Sequence, residues 1–173
     1  MTTSKLYTVN LDSQTAEKLV DEGGSVLVLG LPLGTAFGID HQVFTIGPLF
    51  KGVKMIPPGP HFISYCVASQ RSPNDFSPPS GRWIFLKNKQ VSVWRFDGST
   101  EELEGIINED EKERFVEGVR RHDFDSGMAP YDLARLHQWR MLAQFISEPV
   151  IKKLSPISGV ISVMAEGVEE EEK

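Results

Sequence analysis

Short apolar runs cut by Gly and Pro fill the chain as far as Gly98, and apolar positions at helical spacing take over after it. The punctuation is densest between Phe37 and Tyr65. There Val43-Phe44-Thr45-Ile46 and Val53-Lys54-Met55-Ile56 are cut by Gly47-Pro48 and Gly52 and closed by Pro57-Pro58-Gly59-Pro60. β-branched and aromatic residues bounded in this way read as short strands joined by fixed turns. A helix is excluded across most of the stretch, because each proline lacks a backbone donor and biases the residue before it toward extended geometry.

Upstream, Asp12 is placed to N-cap a short helix with Ala16, Leu19 and Val20 on one side, stopped by Gly23-Gly24. Ser25–Leu29 is a near-continuous apolar run and predicts a central strand covered on both faces. His61–Val67 predicts another strand, with Phe62 and Ile63 on opposite faces. Ser69–Gly81, rich in Ser and Pro, predicts an exposed loop. A hairpin is expected from Arg82–Leu86 and Val91–Phe96, turning near Asn88-Lys89. Trp83 and Phe85 would share one face of its first strand, and Trp94 and Phe96 one face of its second.

From Ser99-Thr100 the spacing of Leu103, Ile106, Ile107, Phe115, Val116 and Val119 predicts a helix, with Glu117 and Arg121 as an exposed pair four apart. After a break over Asp123–Pro130, a second helix is expected with Leu133, Leu136, Trp139, Leu142 and Ile146 on its inner face. Ser147-Glu148-Pro149 is suited to capping a short helix through Leu154, and Ile157–Met164 reads as a last strand. Strands first and helices later give α+β, mainly β, with an antiparallel sheet core and flanking C-terminal helices. The expected organisation is a flexible N-terminus at 1–11, one domain at 12–166 and an acidic tail at 167–173.

Composition narrows the function. At 173 residues the chain suits one core. A net charge of -6 argues against general affinity for phosphate backbones. The one cysteine, Cys66, allows no internal disulfide, and the N-terminal sequence lacks the apolar core of a signal peptide. The longest apolar run, Val26–Leu33, contains Gly30 and Pro32 and is far short of the roughly 20 residues that span a bilayer. A soluble intracellular protein is expected.

Catalytic chemistry finds little purchase. Gly30 and Gly34 match no phosphate-binding spacing and read as turn glycines. Asp123-Phe124-Asp125-Ser126-Gly127 begins like a calcium loop, but Gly127 stands where a third acidic ligand belongs and Ala134 where the bidentate Glu should be. His41, His61, His122 and His137 fall at no metal-ligand spacing. Cys66 as a hydrolase nucleophile would need a histidine supplied by the fold, and a buried strand cysteine is the plainer reading. No catalytic, cofactor or metal residue is therefore expected. One alternative survives: Trp83, Phe85, Trp94 and Phe96, with Arg82, Lys87, Lys89 and Arg95, could form a stacking platform for single-stranded RNA.

The stretch Phe37-Gly38-Ile39-Asp40, Ile46-Gly47-Pro48, Phe50-Lys51-Gly52-Val53-Lys54-Met55-Ile56-Pro57-Pro58-Gly59, His61-Phe62 and Tyr65 resembles the N-terminal domain of the Aar-two family, the A-one cistron splicing factors. Val91–Arg95, Pro130-Tyr131-x-Leu133 with Trp139, Leu142 and Phe145-Ile146-Ser147, and Val150–Pro156 extend the resemblance from about residue 15 to 165. It implies a β-sandwich-like domain with flanking helices. It also implies a non-enzymatic assembly factor for the U-five small nuclear ribonucleoprotein, found in nucleus and cytoplasm. The partner implied is the central spliceosomal scaffold protein, bound through its ribonuclease-H-like region. Neither a membrane nor direct nucleic-acid contact is expected. The family's C-terminal helical domain is missing from this sequence, so scaffold binding is expected of this half and full assembly activity is not.

Lys51 and Lys54 are candidate rim contacts for that partner, against a plainer reading as solvated lysines guarding an edge strand. Tyr131 and Trp139 are expected in the core, and Gly52 at positive φ.

Overall fold

The computed structural model describes residues 13–162 except 70 and 73. A helix, α1 (Ser13–Glu22), leads into seven strands: β1 (Gly24–Leu29), β2 (Ala36–Ile39), β3 (Gln42–Thr45), β4 (Gly52–Ile56), β5 (Gly59–Cys66), β6 (Ser80–Leu86) and β7 (Val91–Asp97). Then come β8 (Glu102–Gly105), α2 (Glu109–Arg120), β9 (Met128–Pro130), α3 (Leu136–Ala143), α4 (Glu148–Leu154) and β10 (Ile161–Ser162). Single 3-10 turns at Asp125–Gly127 and Leu133–Arg135 precede β9 and α3.

Two five-stranded sheets result, ordered β8-β7-β1-β4-β9 and β10-β6-β5-β2-β3. The second is antiparallel throughout. The first is mixed, because β1 runs parallel to β7 and β4 parallel to β9. The fold is thus α+β and mainly β, with two mostly antiparallel sheets. Val26 and Val28 of β1, Val53 and Ile56 of β4, Phe37, Ile39, Ile63, Tyr65, Ile84 and Leu86 fill one core cluster between the sheets. Leu27, on the other face of β1, packs with Val93, Val116, Val119 and Met128 beneath α2. That accounts for the apolar run of β1: it is the middle strand of its sheet and is covered on both faces. Phe62 and Ile63 do face opposite ways. Ile63 is fully buried between the sheets, while Phe62 lies on the outer face against Trp83.

The structure departs from sequence expectation in several places. The turn at Asn88-Lys89 forms, with Lys89 at φ 58°, but its strands part company. β6 pairs with β5 from Gly59↔Leu86 to Tyr65↔Ser80, whereas β7 pairs with β1 in the other sheet. There is no aromatic hairpin. The turn itself is held by α1 and β1, through Lys89 N to Glu22 O at 3.0 Å and Ser25 N to Gln90 O at 2.9 Å.

The helix expected from Ser99 begins only at Glu109. Asp97 Oδ1 accepts from Ser99 N at 2.8 Å and closes a turn, and β8 returns antiparallel to β7 with Leu103 fully buried. Asn108 then caps α2 by accepting from Glu111 N at 2.9 Å, and three acidic residues occupy its first turn. Ile107 is left outside the helix and almost wholly exposed. Glu117 pairs with Arg120 at 2.9 Å instead of Arg121, which turns to Asp123 at 3.3 Å.

Val20 and Leu142, expected on buried faces, are exposed. Of the last strand expected over Ile157–Met164, only Ile161–Ser162 is a strand among the described residues, since 157–159 form a turn closed by Gly159 N to Pro156 O at 2.8 Å. Asp12, the side chain of Ala16, the N-terminus at 1–11 and the acidic tail at 167–173 lie outside the described residues. Ser147 caps α4 as expected, accepting from Val150 N at 3.4 Å.

Candidate functional site

The residues of the Phe37–Tyr65 stretch converge on a buried polar clasp. Asp40 sits in the two-residue turn between β2 and β3, at φ 52°, with its carboxylate turned onto the start of β5. Oδ1 accepts from Phe62 N at 2.9 Å, and Oδ2 lies 2.6 Å from His61 Nδ1. The Tyr131 hydroxyl, delivered by the chain just after β9, donates to the same Oδ2. His61 Nε2 lies 2.6 Å from the Pro57 carbonyl. Both ring nitrogens are therefore engaged by oxygen atoms of the fold. Burial, then the Asp40 carboxylate, holds the Tyr131 phenol well above its ordinary range.

The prolines have a similar role. Pro60 O accepts from Trp139 Nε1 at 2.9 Å, so the Pro57–Pro60 turn offers one carbonyl to the clasp and one to α3. Trp139 stacks on Trp83 at 5.7 Å and 25°, and meets the edge of His41 at 5.6 Å. Gln42 ties down the segment carrying Tyr131, its Oε1 accepting from Asp132 N at 3.0 Å.

A His–Asp pair invites a catalytic reading, and the geometry opposes it. His61 and Asp40 side chains are each 2% exposed, and the nitrogen that would face a substrate is bonded to Pro57. Cys66 is half-buried on β5 instead of fully buried. Asp125 is engaged by Lys54 and His122, each at 3.3 Å, and Asp123 by Arg121. Those carboxylates form a turn between α2 and β9.

Of the rim candidates, Lys51 is exposed just before β4. Lys54 is half-buried and bonded to Asp125, and β4 lies between β1 and β9, so neither lysine guards a sheet edge. Tyr131 and Trp139 are buried, as the sequence suggests. The proposed RNA platform is dismantled: Trp83 lies against Trp139, and Trp94 is covered by the Arg82 guanidinium 4.4 Å from its ring. Arg82 and Tyr65 join the two sheets, through Arg82 Nη2 to Leu103 O at 2.8 Å and Leu103 N to the Tyr65 hydroxyl at 3.1 Å.

Asp40, His61, Tyr131 and Trp139 all come from the stretches that carry the family resemblance, and they meet at one place. A family model described as the AAR2 N-terminal domain matches residues 22–156. The chain belongs to the AAR2 family. It is 36% identical over 163 residues to the protein AAR2 homolog of Mus musculus, covering 93% of this chain and 42% of that relative. It is 37% identical over 150 residues to the Homo sapiens homolog, covering 86% and 38%. With the Caenorhabditis elegans homolog it shares 31% over 160 residues, covering 90% and 42%. The chain thus spans about two fifths of the length of these AAR2 relatives.

What sequence reasoning missed was the clasp. A lone Asp in a turn and a His at the start of a strand carry no spacing signal, since the third member lies 91 residues from the first.

Proposed function

We propose that this AAR2-family chain is the protein-binding half of a non-enzymatic assembly factor for the U-five small nuclear ribonucleoprotein in pre-mRNA splicing. In this reading it engages the central spliceosomal scaffold protein through that protein's ribonuclease-H-like region, and it works in nucleus and cytoplasm. The observation that carries the reading is the family match over residues 22–156. It is supported by the chemistry of the clasp, whose polar atoms are spent on holding β2, β5, β9 and α3 together. A domain whose most distinctive residues are consumed internally has its surface left for recognition. Such work suits a domain covering about two fifths of its relatives; the remaining length would add contacts.

The test is capture. The immobilised 173-residue chain should retain the scaffold's purified ribonuclease-H-like region from a micromolar solution at physiological salt. A folded chain that retains none would remove this reading.

A further inference from the structure

We propose that the α3 face is a docking surface for a partner protein, which it takes by a segment presenting bulky apolar side chains flanked by carboxylates. This rests on the reading of the chain as a binding module and adds the place and the chemistry.

The first observation is apolar. α3 buries Trp139 and Ala143, yet Met141 is 60% exposed, Leu142 70% and Phe145, in the turn that follows, 84%. Single exposed apolar residues are ordinary, but three within five positions of one another form a patch. Beside it lies a cleft of about 490 Å³, lined by Phe62, Trp83 and Trp139 and by Leu142, Ile146 and Ile161. On the other flank of α3 a second cleft, of about 260 Å³, runs between Pro57-Pro58 and Arg140. α3 therefore stands between two hollows floored by aromatic and proline surface, the setting in which apolar anchors contribute most.

The second observation is electrostatic. The chain carries -6 overall, yet α3, α4 and the turn before α3 hold Arg135, Arg140, Lys152 and Lys153 against Glu148. Glu148 is already engaged by Lys152 at 3.5 Å and Lys87 at 3.9 Å. Arg135 and Arg140 have no carboxylate within ion-pairing distance among the described residues. Their charge is available to a partner, and the complement is acidic. A second copy would set arginine against arginine, so self-association through this face is disfavoured. Leu142 and Phe145 rising from a ridge suit side-chain anchors better than stacked bases.

The probe is a fluorescein-labelled amphipathic peptide of about 15 residues, with Leu and Phe at helical spacing and Glu elsewhere; its counterpart carries Lys for every Glu. Anisotropy with the full chain should show the Glu peptide binding, and more weakly as salt rises from ~0.05 to ~0.3 M. The Lys peptide should bind at least about tenfold more weakly. The double variant L142E/F145E alters exposed positions, and with an unchanged melting curve it should lose binding at least about tenfold. R140E should reverse the peptide preference. Equal binding of both peptides, no binding at about 1 mM, or displacement by a uridine oligonucleotide would overturn the proposal. If the double variant still captures the scaffold region, this surface is wrong and the scaffold reading stands. If the unaltered chain binds the Glu peptide but not the scaffold region, the surface stands and the scaffold reading fails.

Discussion

Asp40 shows how one side chain can organise several segments: its two oxygens accept hydrogen bonds from Phe62 N and the Tyr131 hydroxyl and lie against His61 Nδ1, groups that belong to β5 and the chain after β9. Tyr131→Phe removes one of these donors and should cost about 1–2 kcal/mol at neutral pH, measured by urea unfolding. The raised value of the phenol sets the pH behaviour. Its contribution is fully present below about pH 10, its ordinary value, and is lost as the pH rises beyond it. Tyr131→Phe should therefore lose stability less steeply above pH 10 than the parent, with Tyr65, raised by burial, supplying the remaining slope; equal slopes would contradict the assignment. Gly52 makes a different demand. It has φ 147°, and a Cβ there would stand 2.0 Å from Val26 O. Gly52→Ala should cost roughly 3 kcal/mol or more by the same assay, well above Gly59→Ala. Gly59 is also at positive φ, 130°, but faces open space, so the two variants separate backbone strain from collision.

Individual elements were legible where their own residues decide them. β1 reads correctly because both its faces are covered, and α4 because Ser147 and Pro149 mark its start. β8 was hidden: Leu103, Ile106 and Phe115 do recur at helical spacing, but the turn at Asp97 and pairing with β7 override it. β9 is three residues long and carries no pattern of its own; parallel pairing with β4 makes it a strand. The divergence of β6 and β7 is likewise settled by distant partners, β5 and β1, which no local rule names. The place where α2 starts is local again. Asn108→Ala should cost about 1 kcal/mol and raise amide exchange in the first turn of α2 without touching β8; unchanged exchange there would show that the cap is idle.

Across the whole molecule, α2 covers the outer face of one sheet and α3 part of the outer face of the other, with the main core between. Trp139 couples α3 to that assembly through Trp83 and Pro60 O. Trp139→Ala should cost about 3–5 kcal/mol; a loss below about 1 kcal/mol would mean that α3 is held by other contacts. The resemblance found in the sequence anticipated the family and the two-sheet architecture, while the clasp and the exposed α3 ridge became visible only in three dimensions. Leu142 illustrates why: its spacing from Trp139 is right for an inner face, yet the eight-residue α3 buries Trp139 and Ala143 and leaves Leu142 exposed. Scaffold binding is tested by a calorimetric titration of the scaffold's ribonuclease-H-like region into this chain at physiological salt. A scaffold-binding domain should give saturable binding at micromolar concentration or tighter. A flat titration from a chain shown to be folded would contradict that role.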